Sequence, residues 1–368
     1  MSIQEKVKLI QGGKFEGSSI TNGKIYHDLP FEKLGKIRSH RGNTRGRINQ
    51  ILDIVDVKGK TVLDIGCNVG GISLGMAEAG ASYVMGVDYD KESIDIAVEA
   101  TKELEFTNAN FDCENIDINS LKDIKNYDII IWLSQWQWMV KQYGLDIAKD
   151  MLFEVSRKCE VLVFDSASDD GMARIKGSTQ DDIENWLLEN TCFDTIIRYK
   201  GLPGWLNRDL FICSNPVKRI KDRHIAASSI IERISRNEIK KTYKLSNIWM
   251  VKRESEFLTA LKDSIHFPKL IETGDNYIVM SYCGRPGKVT KDMETQTSEI
   301  LKALEIAGIK HRDIRSGNLL SLNGILYLID FGLSIWITET DTPFLSAKRF
   351  RKESNTDSSA INEFFKSL

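Results

Sequence analysis

The sequence has little of what marks several common protein classes. Its cysteines, Cys67, Cys113, Cys159, Cys192, Cys213 and Cys283, form no C-x-x-C pair. That excludes the usual spacing of a zinc cluster, argues against a disulfide framework and points to a reducing compartment. No long apolar run is present: IIIWL at 129–133 is typical, far short of the ~20 residues that span a bilayer. The start, MSIQEKVKLIQGG, has no apolar stretch of the kind a secretory signal needs. Charge of one sign is also missing. The formal net charge is −2, so there is no global basic field for nucleic acid or an anionic membrane. What is there is an ordinary globular composition, 42 % hydrophobic and 28 % charged over 368 residues. That is enough chain for two domains with cores of their own. The expectation is a cytoplasmic protein with no transmembrane segment; peripheral attachment at the inner face of a membrane stays open.

Residues 1–45 are polar, with a basic cluster at Lys36, Arg38, Arg41, Arg45 and Arg47. This reads either as a solvated loop and helix start or, at Arg41 and Arg45, as clamps for a carboxylate or an anionic acceptor. From residue 48 helix and strand patterns alternate: INQILDIV, TVLDIG, GISLGMAEAG, YVMGVD, KESIDIAVEATKEL, NANFDCENID, YDIIIWLS and VLVFDSA. Such alternation predicts a doubly wound α/β sheet of Rossmann type. The charged stretch 214–229, with Pro216, breaks the rhythm. It divides the chain into a first domain at 1–216, with 1–45 as an N-terminal extension, a linker at 217–228 and a second domain at 229–368. In the second domain IIERIS and EIKKTYKL precede a helix at about 252–263, the strand YIVMSY, a helix at about 292–307, HRDIRSGN and ILYLIDFG. Strands first and helices later predict an α+β two-lobed domain.

Chemistry enters at VLDIGCNVGG, 62–71. An apolar strand runs into a glycine turn and then a helix. Gly66 and Gly70 let the main chain approach a ligand with no Cβ in the way. Asp88 ends the next strand, where an acid accepts both hydroxyls of a ribose. The turn is not G-x-G-x-x-G, and Asp64 stands inside the strand where a nicotinamide fold carries an apolar residue. The pattern resembles instead the S-adenosylmethionine site of class I methyltransferases. That resemblance implies that the turn, Gly66, Cys67, Asn68 and Gly70 with Asp64 behind it, holds the amino-acid part of the cofactor. It places Asn115 and Ile116 beside the adenine, and Trp132, Leu133 and Ser134 at the methionine end. Arg45 is a further candidate cofactor residue. Trp136 and Trp138, in LSQWQWM, are candidates for stacking on an acceptor, or simply wall.

H-R-D-x-x-x-x-N at 311–318 and D-F-G at 330–332 resemble the catalytic and metal loops of protein kinases. The resemblance gives Asp313 the proton of the attacking hydroxyl, and Asn318 and Asp330 a Mg²⁺ ion that neutralises the phosphates of ATP. The other two groups follow from periodicity. In EIKKTYK, Ile239, Lys241 and Tyr243 share one strand face. Lys241 is therefore the better phosphate lysine, with Lys240 as the alternative. In RESEFLTAL, Glu254 lies on the side of Phe257 and Leu258, so it can reach Lys241, and Glu256 points elsewhere. There is no glycine loop before Lys241; small residues from Ala226 to Ser229 stand there. No A-P-E segment follows Gly332, which suits a minimal kinase of small molecules or glycans.

Taken together, LDIGCNVGGISL, WLSQWQWMV, LFICSN, KKTYK, RESEFLTAL, HRDIRSGNLL and LIDFG resemble the bifunctional kinase–methyltransferases of the WbdD type, which cap bacterial O-antigen polysaccharides. The resemblance covers residues 45–335. It implies phosphorylation of a terminal sugar of a glycan, or another small hydroxyl compound, followed by methylation of the new phosphate, with a glycosyltransferase as partner. One chain would then hold each product near its next site. Two family features are not found in the 368 residues: a long coiled-coil extension and a histidine pair after Leu133-Ser134. Two other readings remain open at this point: an RNA- or nucleotide-modifying methyltransferase, or a methyltransferase with a kinase-like regulatory module.

Overall fold

The computed structural model describes residues 3, 7, 26–39, 43–169, 175–201, 208–215, the main chain of 223–225, 228–286, 292–339, 357, 358 and 361. Arg41, Pro216, Ala226, Ala227 and most of the expected linker lie outside the described residues. The chain separates into two compact units, Met1–Lys218 and Arg219–Leu368.

The first unit is a seven-stranded sheet between two layers of helices. Its strands are β1 (Thr61–Ile65), β2 (Tyr83–Asp88), β3 (Ala109–Cys113), β4 (Tyr127–Leu133), β5 (Cys159–Asp165), β6 (Thr195–Tyr199) and β7 (Leu210–Ser214), in the order β3-β2-β1-β4-β5-β7-β6. β1 to β5 pair in parallel, and β7 runs against both neighbours. The helices are α1 (Thr44–Leu52), α2 (Gly71–Glu78), α3 (Lys91–Leu104), α4 (Ile118–Asp123), α5 (Trp136–Tyr143), α6 (Leu145–Lys158) and α7 (Gln180–Asn190). The sheet is covered on both faces, so its central strands read as near-continuous apolar runs. In β4, IIIWL is buried throughout. Ile129, Ile131 and Leu133 pack into one helix layer, and Ile130 and Trp132 into the other. α1 begins at Thr44, four residues before the apolar run suggested. Its buried side is Thr44, Arg47, Ile48 and Ile51, the i, i+3, i+4, i+7 stripe of an amphipathic helix, with an arginine in it.

The second unit opens with a five-stranded antiparallel sheet, order β11-β12-β10-β9-β8. These are β8 (Arg223–Ile225), β9 (Ser229–Ser235), β10 (Glu238–Tyr243), β11 (Leu270–Thr273) and β12 (Tyr277–Ser281), with α8 (Trp249–Ala260) inserted after β10. β13 (Arg285–Pro286), α9 (Met293–Ala307), β14 (Ile309–Lys310), β15 (Leu319–Leu322), β16 (Ile325–Leu328) and β17 (Ile335–Trp336) follow. β8 and β11 had no sequence signal: β8 is three residues long, and β11 shows no clean alternation. The core joins Phe257 and Leu258 of α8 to Ile278, Ile300, Leu304, Leu328 and Phe331. Among the described residues, no helix is long and apolar enough to cross a membrane.

Candidate active sites

In the first unit the turn after β1 bends back on itself. Gly66, Asn68 and Gly70 have φ of 76°, 52° and 78°, in the left-handed region that favours glycine. A Cβ on Gly70 would sit 2.8 Å from the Phe111 ring, and one on Gly66 would run into the Gln135 side chain. Gly66 and Cys67 donate main-chain N–H groups to the Val87 carbonyl at 2.8 and 3.0 Å, fixing the turn to β2. Asp88, at the end of β2, accepts from the N–H groups of Asn68 (2.9 Å) and Asp90 (3.0 Å). Each oxygen keeps a lone pair for a ligand hydroxyl. Burial holds the Asp88 carboxyl above its ordinary range despite these bonds.

A cleft beside the turn is lined by Gly66, Asp88, Asn115, Ile116, Trp132 and Gln135 among others. The structure therefore brings together the residues expected at the ribose, the adenine and the turn. Cys67 and Leu133 have side chains in the apolar core, so only their main chain can face a ligand. Asn68 is buried, accepting from the His27 N–H at 3.2 Å and donating to Ser93 Oγ at 3.2 Å. Gln135 was not anticipated, because a lone polar residue after a strand carries no signal.

Arg45 is displaced from its expected place, and Trp136 takes the second of its two readings. Arg45 ion-pairs with Glu78 at 2.6 Å, donates to the Pro30 carbonyl at 2.9 Å and lies over the Phe31 ring. Glu78 ends α2, a helix length away from the glycine turn, so Arg45 is not placed at the cofactor cleft. Helical positions two apart point roughly 200° apart, and it is Arg47 that turns inward. It is fully buried against Asp165. Trp136 is likewise fully buried, packed on Phe164 and Trp186 with its indole N–H on the Ala148 carbonyl at 2.8 Å. It is wall, not a stacking platform; Trp138 is partly exposed, with Lys141 over it.

Asp64 is buried under the turn and accepts from Ser73 Oγ at 2.5 Å. Burial pushes its carboxyl up to about 7; the Ser73 bond opposes this and the Asp88 charge adds to it. An unfolded carboxyl titrates near 3.8. Between these values the folded unit keeps a proton that the unfolded chain releases. The contribution to stability is therefore full below the lower value, falls as pH rises through the window and is level above it. Asp64→Asn, which can still accept from Ser73, should remove this slope. Urea unfolding of the ligand-free protein across that window should show the variant gaining on wild type as pH rises, by an amount on the order of a few kcal/mol. Parallel profiles would contradict the assignment.

In the second unit, strand alternation places Lys241 and Tyr243 inward. Lys240 points to the other face, over the Tyr277 ring at 3.9 Å. Lys241 Nζ donates to Glu254 Oε2 at 2.7 Å and to Asp330 Oδ1 at 2.8 Å. The Tyr243 hydroxyl also donates to Glu254. Lys241 and Glu254 are almost wholly buried, whereas the Asp330 side chain is 42 % exposed. Burial alone would lower the ammonium pKa, but the Glu254 and Asp330 charges outweigh it and hold it above its ordinary range. For Asp330 burial would raise the carboxyl, and the Lys241 ammonium brings it below the usual value.

The HRD loop is bound into the same network. Asn318 donates Nδ2 to the Asp313 carbonyl at 2.8 Å and to its carboxylate at 2.9 Å. Ile329, next to Asp330, donates its N–H to the Asn318 carbonyl at 3.0 Å, and its own carbonyl is 3.0 Å from His311 Nε2. His311 meets Phe331 edge to face and Phe331 lies tilted against Phe257, with ring centroids 4.8 and 6.3 Å apart, linking loop, DFG and α8. Burial holds the His311 imidazole below its ordinary pKa, against the opposing charges of Asp357, Asp330 and Asp313. One contributor left no trace in the sequence. Asp357 accepts from the main-chain N–H groups of His311 (2.7 Å) and Arg312 (2.9 Å), where Arg312 has φ of 68°. Nothing in the local pattern around Asp357 announces a partner some 45 residues upstream.

Asn318 spends its Nδ2 on Asp313, which leaves Oδ1, the atom type a hard cation takes, for other use. Among the described residues no three His, Cys, Asp or Glu groups converge. A cation held by Asn318 and Asp330 would therefore complete its shell with phosphate oxygens and water, the usual arrangement for Mg²⁺. The residues fit such an ion.

Residues 56–135 match the family described as "Methyltransferase domain", and residues 218–366 the family described as "RIO domain". Ubiquinone biosynthesis O-methyltransferase of Coxiella burnetii is 38 % identical over 84 residues, 23 % of this chain and 35 % of that protein. The O-antigen chain terminator bifunctional methyltransferase/kinase WbdD of Escherichia coli is 24 % identical over 329 residues, 76 % of this chain and 46 % of that protein. The chain thus spans less than half the length of these relatives. A solved structure of WbdD with a kinase inhibitor matches with a TM-score of 0.44 and 22 % identity, over 83 % of this chain and 79 % of that one. A methyltransferase domain supports S-adenosylmethionine as the cofactor of the first unit. The chain is a methyltransferase domain followed by a RIO kinase-like domain, homologous over 76 % of its length to the bifunctional methyltransferase/kinase WbdD.

Proposed function

We propose that this chain is a bifunctional transferase that phosphorylates a hydroxyl on the terminal sugar of a glycan and then methylates the phosphate it has made. The observation that carries this reading is the Lys241–Glu254–Asp330 network beside the Asp313–Asn318 pair, on a chain whose other unit holds a methyltransferase turn. Similarity to the O-antigen chain terminator bifunctional methyltransferase/kinase of Escherichia coli supports the glycan and the pairing of activities. Residues 1–216 form the methyl-transfer domain, 217–228 the linker and 229–368 the kinase. The protein works in the cytoplasm, at the inner face of the membrane beside a glycosyltransferase.

ATP is the phosphoryl donor, and Mg²⁺, when bound, neutralises its phosphate oxygens. Lys241, held charged by Glu254, steadies the phosphates; Asn318 and Asp330 supply oxygens to the cation; Asp313 takes the proton of the sugar hydroxyl. In the first unit, Asp88 holds the ribose and Asn115 and Ile116 border the adenine. The main chain of Gly66, Cys67, Asn68 and Gly70, with Asp64 beneath, cradles the amino-acid part, and the Leu133 main chain borders the methionine. S-adenosylmethionine supplies an activated methyl group, so no strong base is required of the protein. Incubation with labelled ATP and labelled S-adenosylmethionine, across mannose- and other hexose-terminated oligosaccharides and read by mass, tests the proposal. One acceptor should gain a phosphoryl group and then a methyl group. Methylation of an unphosphorylated acceptor at full rate would contradict it.

A further inference from the structure

The C-terminal ends of β4 and β5 and the start of β7 meet at a polar cluster that the scheme above leaves unused. Asp165 ends β5 and ion-pairs with the fully buried Arg47. It also accepts from the Ser134 N–H at 2.7 Å and from Ser134 Oγ at 2.9 Å. Ser134 has φ of 57°, so this corner is held against the usual preference of a non-glycine residue. Arg208, two residues before β7, donates from Nη1 to Ser134 Oγ at 2.9 Å. It is 4 % exposed, and among the described residues its Nε has no hydrogen-bond partner. The neighbouring Asp209 is taken by Arg198 at 2.6 Å and Lys200 at 3.7 Å.

Among the described residues the charges therefore do not balance. Arg47 has Asp165, and Arg208 has a neutral hydroxyl shared with that same carboxylate. A buried guanidinium with one neutral bond is costly unless an anion completes it. The place is informative too. Gln135, next after Ser134, lines the cofactor cleft. Asp88 and Asn115 stand at the β2 and β3 side of that cleft, which leaves the β4–β5 side for the reacting end.

We infer that Arg208 binds the phosphate monoester acceptor, its planar N–H groups holding two non-reacting oxygens. This rests on the methyl-transfer half of the proposed function and assigns its acceptor residue. A third, free phosphate oxygen gives a lone pair to the methyl carbon. The carbon–sulfur bond breaks with its electron pair left on sulfur, and a phosphate methyl ester and S-adenosylhomocysteine result. No proton moves; the phosphate loses one negative charge and the sulfonium its positive one.

The test is titration of methyl phosphate into the full chain saturated with S-adenosylhomocysteine and ADP. Wild type should bind it. Arg208→Gln should weaken binding about tenfold or more, the worth of a charge-assisted bond, with S-adenosylhomocysteine affinity unchanged; Arg208→Lys should recover part of the loss. Equal methyl phosphate affinity in Arg208→Gln, or no binding by folded wild type, overturns the inference. So does a loss confined to S-adenosylhomocysteine, which would give Arg208 to the cofactor carboxylate instead. Should Arg208→Gln fail to fold, Arg208→Lys decides: affinity equal to wild type's, where the planar fork is gone, overturns the inference. Methyl phosphate that binds through Arg208, on an enzyme that methylates only unphosphorylated sugar, would sink the functional reading while leaving the anion site standing.

Discussion

Asp313→Asn should reduce ATP-dependent phosphoryl transfer by about 10²–10⁴-fold, the range for loss of a positioned general base. The substitution is nearly isosteric. Asp313 is 28 % exposed and bonded to Asn318 Nδ2 and Arg315 Nε, so the fold should persist, and the thermal unfolding profile checks that it does. The informative part is the second activity. Under the proposal that the methyl acceptor is the phosphoryl product, Asp313→Asn should also abolish methylation of an unphosphorylated glycan. It should leave methylation of a chemically phosphorylated acceptor at the wild-type rate. Rates of both transfers on both acceptors separate a coupled sequence from two independent enzymes. A regulatory, non-catalytic kinase-like unit predicts no phosphoryl transfer to lose.

The second large effect is on stability. Lys241 and Glu254 are almost entirely out of water. Lys241→Met leaves the Glu254 carboxylate buried with the Tyr243 hydroxyl as its remaining partner. Breaking a buried pair from one side costs about 3–5 kcal/mol, and the unfolding transition of the kinase-like unit should fall accordingly. The double variant Lys241→Met with Glu254→Gln removes both charges and should regain most of that loss. Its phosphoryl transfer should stay as low as in the single variant, because the phosphate ligand is still absent. Equal instability of single and double variants would mean that packing, not the unpaired charge, sets the cost.

Local periodicity carried much of the information in both units. β10 gave up Lys241 rather than Lys240 because a half-buried strand must turn one face inward, and Tyr243 pins that face. Glu254 followed from its side of α8. The turn from Gly66 to Gly70 was legible because strand, glycines, helix and Asp88 fall in register along one stretch of chain. What stayed hidden was long-range. Arg47 meets Asp165 across 118 residues, and Arg208 meets Ser134 across 74; neither pairing leaves a periodic trace. The misplacement of Arg45 had a local cause. Starting α1 at residue 48 left Arg45 and Arg47 in a loop, where face cannot be assigned. With the start at Thr44, helical geometry separates them at once. Asp357 escaped for the same reason as Arg47: a carboxylate that caps two main-chain N–H groups is recognisable only when the loop it caps is in view.

The proposed phosphoryl transfer depends on the kinase-like unit gathering a nucleotide's terminal phosphate between Lys241, Asn318 and Asp330. A crystal structure of the full chain with a non-hydrolysable ATP analogue and Mg²⁺ tests this most directly. The expected result is the Lys241 ammonium within hydrogen-bond distance of a phosphate oxygen, the metal on Asn318 Oδ1 and the Asp330 carboxylate, and Asp313 facing open space for a sugar hydroxyl. A nucleotide bound elsewhere, or a cleft that stays closed by the Lys241–Asp330 pair at saturating analogue, would contradict it.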